Sequence, residues 1–523
     1  MTRELRPTVL EIIAAIRLRA RTAALCIALW FAALVMALSG AALAAVAFAA
    51  GAGLAAGIDR RLPLFVFLLM LPGLTAFDGL VLLRFGGSAL DFRLILTGSI
   101  GVVLVALILK YGTTLDVVAA VFAAFVGTMI VLIVESDTPM RGLPEVARLV
   151  DYLLAYLVAR RSFGSVSGLA LLAAAVAIGG LVPLMSGLIQ LVRGEAVFQN
   201  GAFRLTGVYS GSPVGLAFAM FSAALALYFT FMTRLQWRRS AAWAAVVVFG
   251  LFFFVLVETS SRLAFMSIVF SLFAGEILLR HWRRLPVIAA VAVCALLLAP
   301  GLSGRLGSVT GNGNGGGETT TIGGATTTTS EGNPSGDPSL DYRVYLWETM
   351  LGQWRHSPLT GLGTGSFPVV FERISGTPRV PPENDYVGII VESGLVGISI
   401  YLFGQLAVIV VGLYRFRRAE RGPTGTAIAL ALTYFVGSNI VSVLCNPILF
   451  LDLQVAVWAL LGSALAIPIA TSSELRGHEG GPGRWGRVIL IEDLTPERVQ
   501  RWLGRWRPAN AVTRVSSCAE QGA

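Results

Sequence analysis

Lysine is almost missing from this 523-residue chain: of 40 basic residues, only Lys110 is a lysine. That gap removes a Walker phosphate loop, a pyridoxal Schiff base and a lysine nucleophile together, so neither ATP hydrolysis nor imine chemistry is available. Cysteine is scarce too. Cys26, Cys294 and Cys445 fall in or at apolar stretches and Cys518 in the tail, with no paired spacing, which leaves no disulfide framework and no zinc signature. Charged side chains make up 13% of the chain against 55% hydrophobic. A soluble domain carries about 25% charged residues, and a water-soluble fold of this composition would precipitate.

What the chain does have is apolar runs long enough to cross a bilayer, which takes about 20 helical residues. Leu169 to Val192, Ala241 to Val257 and Val387 to Leu413 are examples. The start, with Arg3, Arg6, Arg17, Arg19 and Arg21 before an apolar stretch from Ala23 to Gly57, reads as a retained helical hairpin rather than a signal peptide. The formal charge of +10 would suit nucleic acid, but the arginines instead punctuate the apolar runs. Arg60 and Arg61, Arg160 and Arg161, Arg234 with Arg238 and Arg239, Arg280 with Arg283 and Arg284, and Arg415 with Arg417, Arg418 and Arg421 lie between them. The positive-inside rule places these in the cytoplasm. Alternation from those anchors predicts an all-α, polytopic membrane protein of about 12 to 14 spans with both termini inside. Its partner is the lipid bilayer, not nucleic acid. Val146 to Val158, which contains Arg148 and Asp151, is short for a span and is counted on parity.

Three segments then fall outside: 193–212, 258–262 and a long loop, 301–385. The first part of the long loop, 303–335, is Gly, Thr, Asn and Ser with almost no apolar residue, and a flexible insert is expected. Asp337-Pro338 is a helix-start signal, and Arg343, Trp347, Met350 and Trp354 follow on one helical face. A helix lying on the membrane with that face down accounts for the pattern. The loop from Pro358 to Phe367 has alternate glycines, Gly361, Gly363 and Gly365. It can turn backbone N–H groups toward a phosphate, or be a plain turn. Arg204, Arg262 and Arg343 sit on three separate outer segments, where topology disfavours arginine, and this suggests a converging anionic site for a diphosphate.

The same residues carry a resemblance. Arg204-Leu205-Thr206-Gly207 ahead of a span, Ser260-Ser261-Arg262 opening another, Arg343 to Trp347 before Pro358-Leu359-Thr360-Gly361-Leu362-Gly363, and Asn384-Asp385-Tyr386 leading to Gly394 and Gly397 resemble the O-antigen ligase and polymerase superfamily. The likeness covers roughly 160–470. In that family a histidine precedes the Asn, followed by nine residues and Gly-x-x-Gly; here Glu383 stands in the histidine's place. The resemblance implies a GT-C-type glycosyltransferase of the bacterial inner membrane. It would move a glycan from an undecaprenyl-diphosphate donor to a glycan or lipid A-core acceptor on the periplasmic side, by inverting transfer with no metal or other cofactor. Arg204, Arg262 and Arg343 become diphosphate ligands, Glu383 the general base, and Gly361, Gly363, Gly365 and Asn384 a site loop. His356 is a rival base, and Glu383-Asn384-Asp385 also has the acid-x-acid form of a partial divalent-metal site.

Two other functions share these features: a transporter or flippase for a lipid-linked oligosaccharide or solute, and a non-catalytic assembly component. A transporter would more often place ionisable residues mid-membrane. The chain divides into N-terminal spans (1–160), the ligase-like region (161–470) and a tail (471–523). In the tail, Val499, Trp502, Leu503 and Trp506, ringed by arginines, predict a basic amphipathic helix on the inner leaflet.

Overall fold

The computed structural model describes residues 61–74, 81–85, 88–113, 115–136, 139–199, 202–209, 212–233, 239–298, 321–322, 325–326, 338–377, 380–419, 422–442 and 445–469. The expected hairpin at 23–57, the expected tail helix and most of the insert 303–335 lie outside these residues. The helices are α1 (Leu62–Leu74), α2 (Phe92–Tyr111), α3 (Val117–Glu135), α4 (Pro139–Ser162), α5 (Val166–Gly179), α6 (Leu181–Arg193), α7 (Pro213–Thr233), α8 (Arg239–Glu258) and α9 (Arg262–Leu278). They continue as α10 (Leu285–Leu298), α11 (Pro338–Trp354), α12 (Phe367–Ser375), α13 (Asp385–Arg418), α14 (Pro423–Ser442) and α15 (Leu451–Ala466). Among the described residues, strands form three short antiparallel hairpins: β1 (Val81–Phe85) with β2 (Ser88–Asp91), β3 (Val197–Gln199) with β4 (Ala202–Arg204), and β5 (Thr321–Ile322) with β6 (Ala325–Thr326). The protein is therefore helical in its body, as the apolar periodicity predicts.

On length and composition, Val117–Glu135, Val166–Arg193, Pro213–Met232 and Asp385–Arg418 can each cross a membrane, and shorter apolar helices accompany them. Val166–Arg193 joins α5 to α6 through Gly180, whose backbone stays in the right-handed helical region (φ −65°, ψ −13°). Val146 to Val158, short when read from the sequence, is the middle of the 24-residue α4. That helix packs between α2 and α15, which is why its Arg148 and Asp151 are buried rather than solvated. One apolar cluster runs from Leu62 to Ile467, so the N-terminal helices share a core with the C-terminal ones.

Polar contacts sort the helix termini into two ends. At one end Asp116 caps α3, accepting from Ala119 N at 2.8 Å, and also takes the Tyr156 hydroxyl at 2.7 Å and Arg160 Nη1 at 2.6 Å. Arg61 Nε donates to Ser162 O (2.8 Å), and Arg415 reaches Ile467 O. These are arginines that the positive-inside rule groups together. At the other end Tyr209 donates to Asp452 at 2.9 Å, Tyr152 to Ile448 O at 2.8 Å and Arg148 Nη1 to Leu449 O at 3.1 Å. The loops carrying Arg204, Arg262, Arg343 and Glu383 all connect to that second end.

Candidate functional site

Arg204 ends strand β4, 6% exposed, and its Nε donates to Thr259 O at 2.9 Å. The next residue repeats the docking, with Leu205 N donating to Glu258 O at 3.4 Å. The 193–212 loop is thus pinned onto the tight turn between α8 and α9, and Arg262 is the first residue of α9, three positions beyond the carbonyl that holds Arg204. Two of the three expected arginines are brought together this way. The turn holds Ser260 at φ +52°, a left-handed backbone that costs a non-glycine residue about 1 kcal/mol or more. The N-terminus of α9 adds the positive end of a helix dipole, which favours an anion.

Arg343 lies on α11. Its Nη2 approaches Glu383 Oε2 at 3.3 Å, with the two side chains 19% and 31% exposed. Trp347, one turn along, donates its Nε1 to Pro382 O at 2.9 Å, so α11 grips the segment before α13 at two adjacent residues. Glu383 is held at φ +55°, which makes two of the three left-handed non-glycine residues among those described members of the expected site motifs. Asn384 caps α13, its Oδ1 accepting from Tyr386 N (2.9 Å) and Val387 N (3.1 Å). Asp385 turns to the 445–450 segment: its Oδ2 accepts from Ile448 N at 3.1 Å, and its own N–H donates to Cys445 O at 3.2 Å. The acid-x-acid triplet therefore spreads over three tasks rather than converging. Burial, then the Glu383 carboxylate and the Tyr345 phenol, push the Tyr342 phenol above its usual range. Burial and then Glu383 push the Cys445 thiol up to about 12, against the opposing effect of Arg343. Tyr342 adjoins Arg343 on α11, and Cys445 docks through its carbonyl on Asp385, two residues past Glu383.

Residues 247–402 match the family model of O-antigen ligases. The match supports the O-antigen ligase and polymerase superfamily for this part of the chain. No curated protein matches the chain. The matched stretch of the ligase-like core runs from within α8 into α13 and contains Arg262, Arg343, Glu383 and the glycine motifs; Arg204 lies before it and joins through its bond to Thr259.

In the ligase-like core, the amides of the glycine loop are directed at α13. Helix α13 breaks at Gly394 (φ +65°, ψ −164°), and the loop fills the break. Leu362 N donates to Val391 O (2.8 Å) and Gly363 N to Glu392 O (3.0 Å), while Leu395 N and Val396 N donate to Pro358 O and Leu359 O (2.9 and 3.1 Å). Gly361, Gly363 and Gly365, all at positive φ and buried, permit this contact: a Cβ on Gly361 would meet the backbone of Glu392, and one on Gly365 the backbone of Gly142. Leu362 and Gly363 thus spend their amides on the helix break, while Gly361 N donates to Ser357 O (2.9 Å) and Thr364 N to Leu132 O (3.3 Å), and the loop acts on the site by fixing the N-terminal half of α13. Glu392, unmarked in the sequence reading, clamps the arrangement, its Oε1 accepting from Phe367 N at 3.2 Å. A lone acid in an apolar run was the available signal.

Helix α11 does not lie on a membrane surface with its Trp face down. Leu346 and Met350 are fully buried against Phe367, Phe371 and Val391, with Trp347 and Trp354 beside them. That face is covered by α12 and α13. His356 is exposed just past Trp354, and α11 from Arg343 to Trp354 is about 16 Å long at about 1.5 Å per residue. The structure sets it well apart from the Arg343–Glu383 pair.

Proposed function

We propose that the chain transfers a glycan from an undecaprenyl-diphosphate carrier to an acceptor hydroxyl at the periplasmic face of the inner membrane, with inversion and without a metal. The family match supports a glycosyltransferase-like membrane protein of surface polysaccharide assembly. The observation that carries the finer reading is geometric. Arg204 is bonded to the turn that opens on Arg262, and Arg343 is paired with Glu383 at the same end of the helices.

In this reading Arg204 and Arg262 hold the diphosphate together with the N-terminus of α9. Arg343 spends one nitrogen on Glu383 and keeps its other donors for phosphate oxygens, since a guanidinium has five N–H groups. Glu383 accepts the proton of the acceptor hydroxyl as its oxygen attacks the anomeric carbon. The bond from that carbon to the diphosphate oxygen breaks, and the electron pair leaves on the diphosphate. Fixed positive charge aimed at the departing group stabilises the transition state more than the ground state, because negative charge grows there as the bond breaks. A carboxylate is a weaker base than imidazole, so leaving-group stabilisation carries more of the rate than it would with histidine at position 383.

The test is transfer by the purified full chain from an undecaprenyl-diphosphate glycan to an acceptor glycan. A new glycosidic bond supports the reading; counterflow of the lipid-linked glycan with no such bond favours transport instead. Deletion in the native host separates the two acceptor classes. Single-unit glycan on lipid A indicates a polymerase, to which the absence of the ligase-like histidine points, and no attached glycan indicates a ligase.

A further inference from the structure

Helices α7, α8, α9 and α10 enclose a crevice of about 490 Å³. Phe249, Phe253, Val269 and Ile288 form its walls, and the lining residues Val246 and Val287, 52% and 63% exposed, show that it opens sideways on the outer wall of the helices. Among the described lining residues the polar ones are Tyr228, Glu276 and Arg284, which meet in one cluster. Glu276 is 1% exposed and accepts the Tyr228 hydroxyl and Arg284 Nη1 (3.2 Å), with His281 Nδ1 at 2.8 Å. Arg280 and Arg283 stand exposed on the same turn that carries the lining residue Arg284 and form no ion pair among the described residues. Arg280 occupies the left-handed residue after α9 (φ +60°), the position where glycine is usual, with His281 N closing onto Glu276 O at 2.8 Å.

We infer that this crevice binds one anionic phospholipid, with an acyl chain in the apolar cleft and the phosphate on Arg280 and Arg283. The volume falls in the range of ligand pockets, roughly 300–1,000 Å³. Three arginines against one carboxylate leave the rim positive. Basic pockets between spanning helices on the cytoplasmic side attract anionic headgroups, and a zwitterionic headgroup would bring its own ammonium to the same rim. Glu276 lies 14 residues beyond Arg262 on α9, about 21 Å along its axis, so the charged end of the crevice is remote from the arginine site. The assignment does not rest on the proposed transfer.

The experiment is native mass spectrometry of the full chain in mild detergent, offered equal amounts of phosphatidylglycerol and phosphatidylcholine with identical acyl chains. The wild type is expected to retain phosphatidylglycerol about tenfold over phosphatidylcholine. Arg280→Gln with Arg283→Gln, both exposed sites, brings the two lipids to parity, and Ala292→Phe, which fills the cleft, removes both. Equal retention by the wild type, a preference that survives the substitutions, or a bound polyprenyl phosphate in place of phospholipid overturns the assignment.

Discussion

The Arg343–Glu383 contact joins the proposed leaving-group ligand to the proposed general base, and the two proposed roles separate by substitution. Arg343→Ala is expected to abolish transfer while leaving protein in the membrane, and Arg343→Lys to rescue poorly, because a point charge cannot hold Glu383 and a phosphate oxygen with a planar fork. Glu383→Gln should lose nearly all activity and Glu383→His keep part of it, since imidazole can take the same proton; His356→Ala should stay near wild type. Initial rates of transfer check all five variants, and a Gln variant that turns over normally removes Glu383 as the base. Cys445 supplies an independent probe of the same spot. With its thiol pushed up to about 12, only about one part in ten thousand is thiolate at pH 8, so alkylation of the folded protein should be far slower than in denaturant and should quicken as pH rises. Labelling at matched rates in the two states would show that the thiol is not buried beside Glu383.

At the scale of elements, the break in α13 and the loop that fills it fix the helix whose first turn follows Glu383. A helix interrupted at Gly394 exposes backbone donors and acceptors, and inside a membrane protein these require partners. The 358–363 loop provides them. Gly394→Ala should therefore cost far more than Gly376→Ala. Both residues have positive φ (+65° and +70°), but a Cβ on Gly394 would strike the carbonyl of Leu359, whereas nothing lies within 4 Å of one on Gly376. Strain alone is worth about 1 to 2 kcal/mol, so the Gly376 variant should lose a few degrees of melting temperature and the Gly394 variant much more, measured in detergent. Equal losses would show that the loop does not pack into the break. The glycine spacing was legible in the sequence, but its purpose was not. Alternate glycines look the same whether their amides meet a phosphate or a helix carbonyl, and only the position of α13 decides between them.

For the whole molecule, the two-ended distribution of polar contacts predicts labelling. In a background without native cysteines, Leu359→Cys, at a site 62% exposed, should react with an impermeant thiol reagent from the periplasmic side, and Gly422→Cys should not. Reversed labelling would turn the proposed donor site to the wrong compartment. The sequence by itself determined the class of protein, the order of the spans and which loops share an end, because hydropathy and arginine placement act through local rules of length and charge. It also marked Arg204, Arg262, Arg343 and Glu383, through motif order. Tertiary structure alone decided that Arg204 is bonded to the turn before Arg262, that Arg343 reaches across 40 residues to Glu383, and that the Trp face of α11 is covered by protein rather than lipid. Those outcomes depend on long-range contacts such as Asp385 with Ile448 and Leu362 with Val391, and no local periodicity encodes a partner that far along the chain.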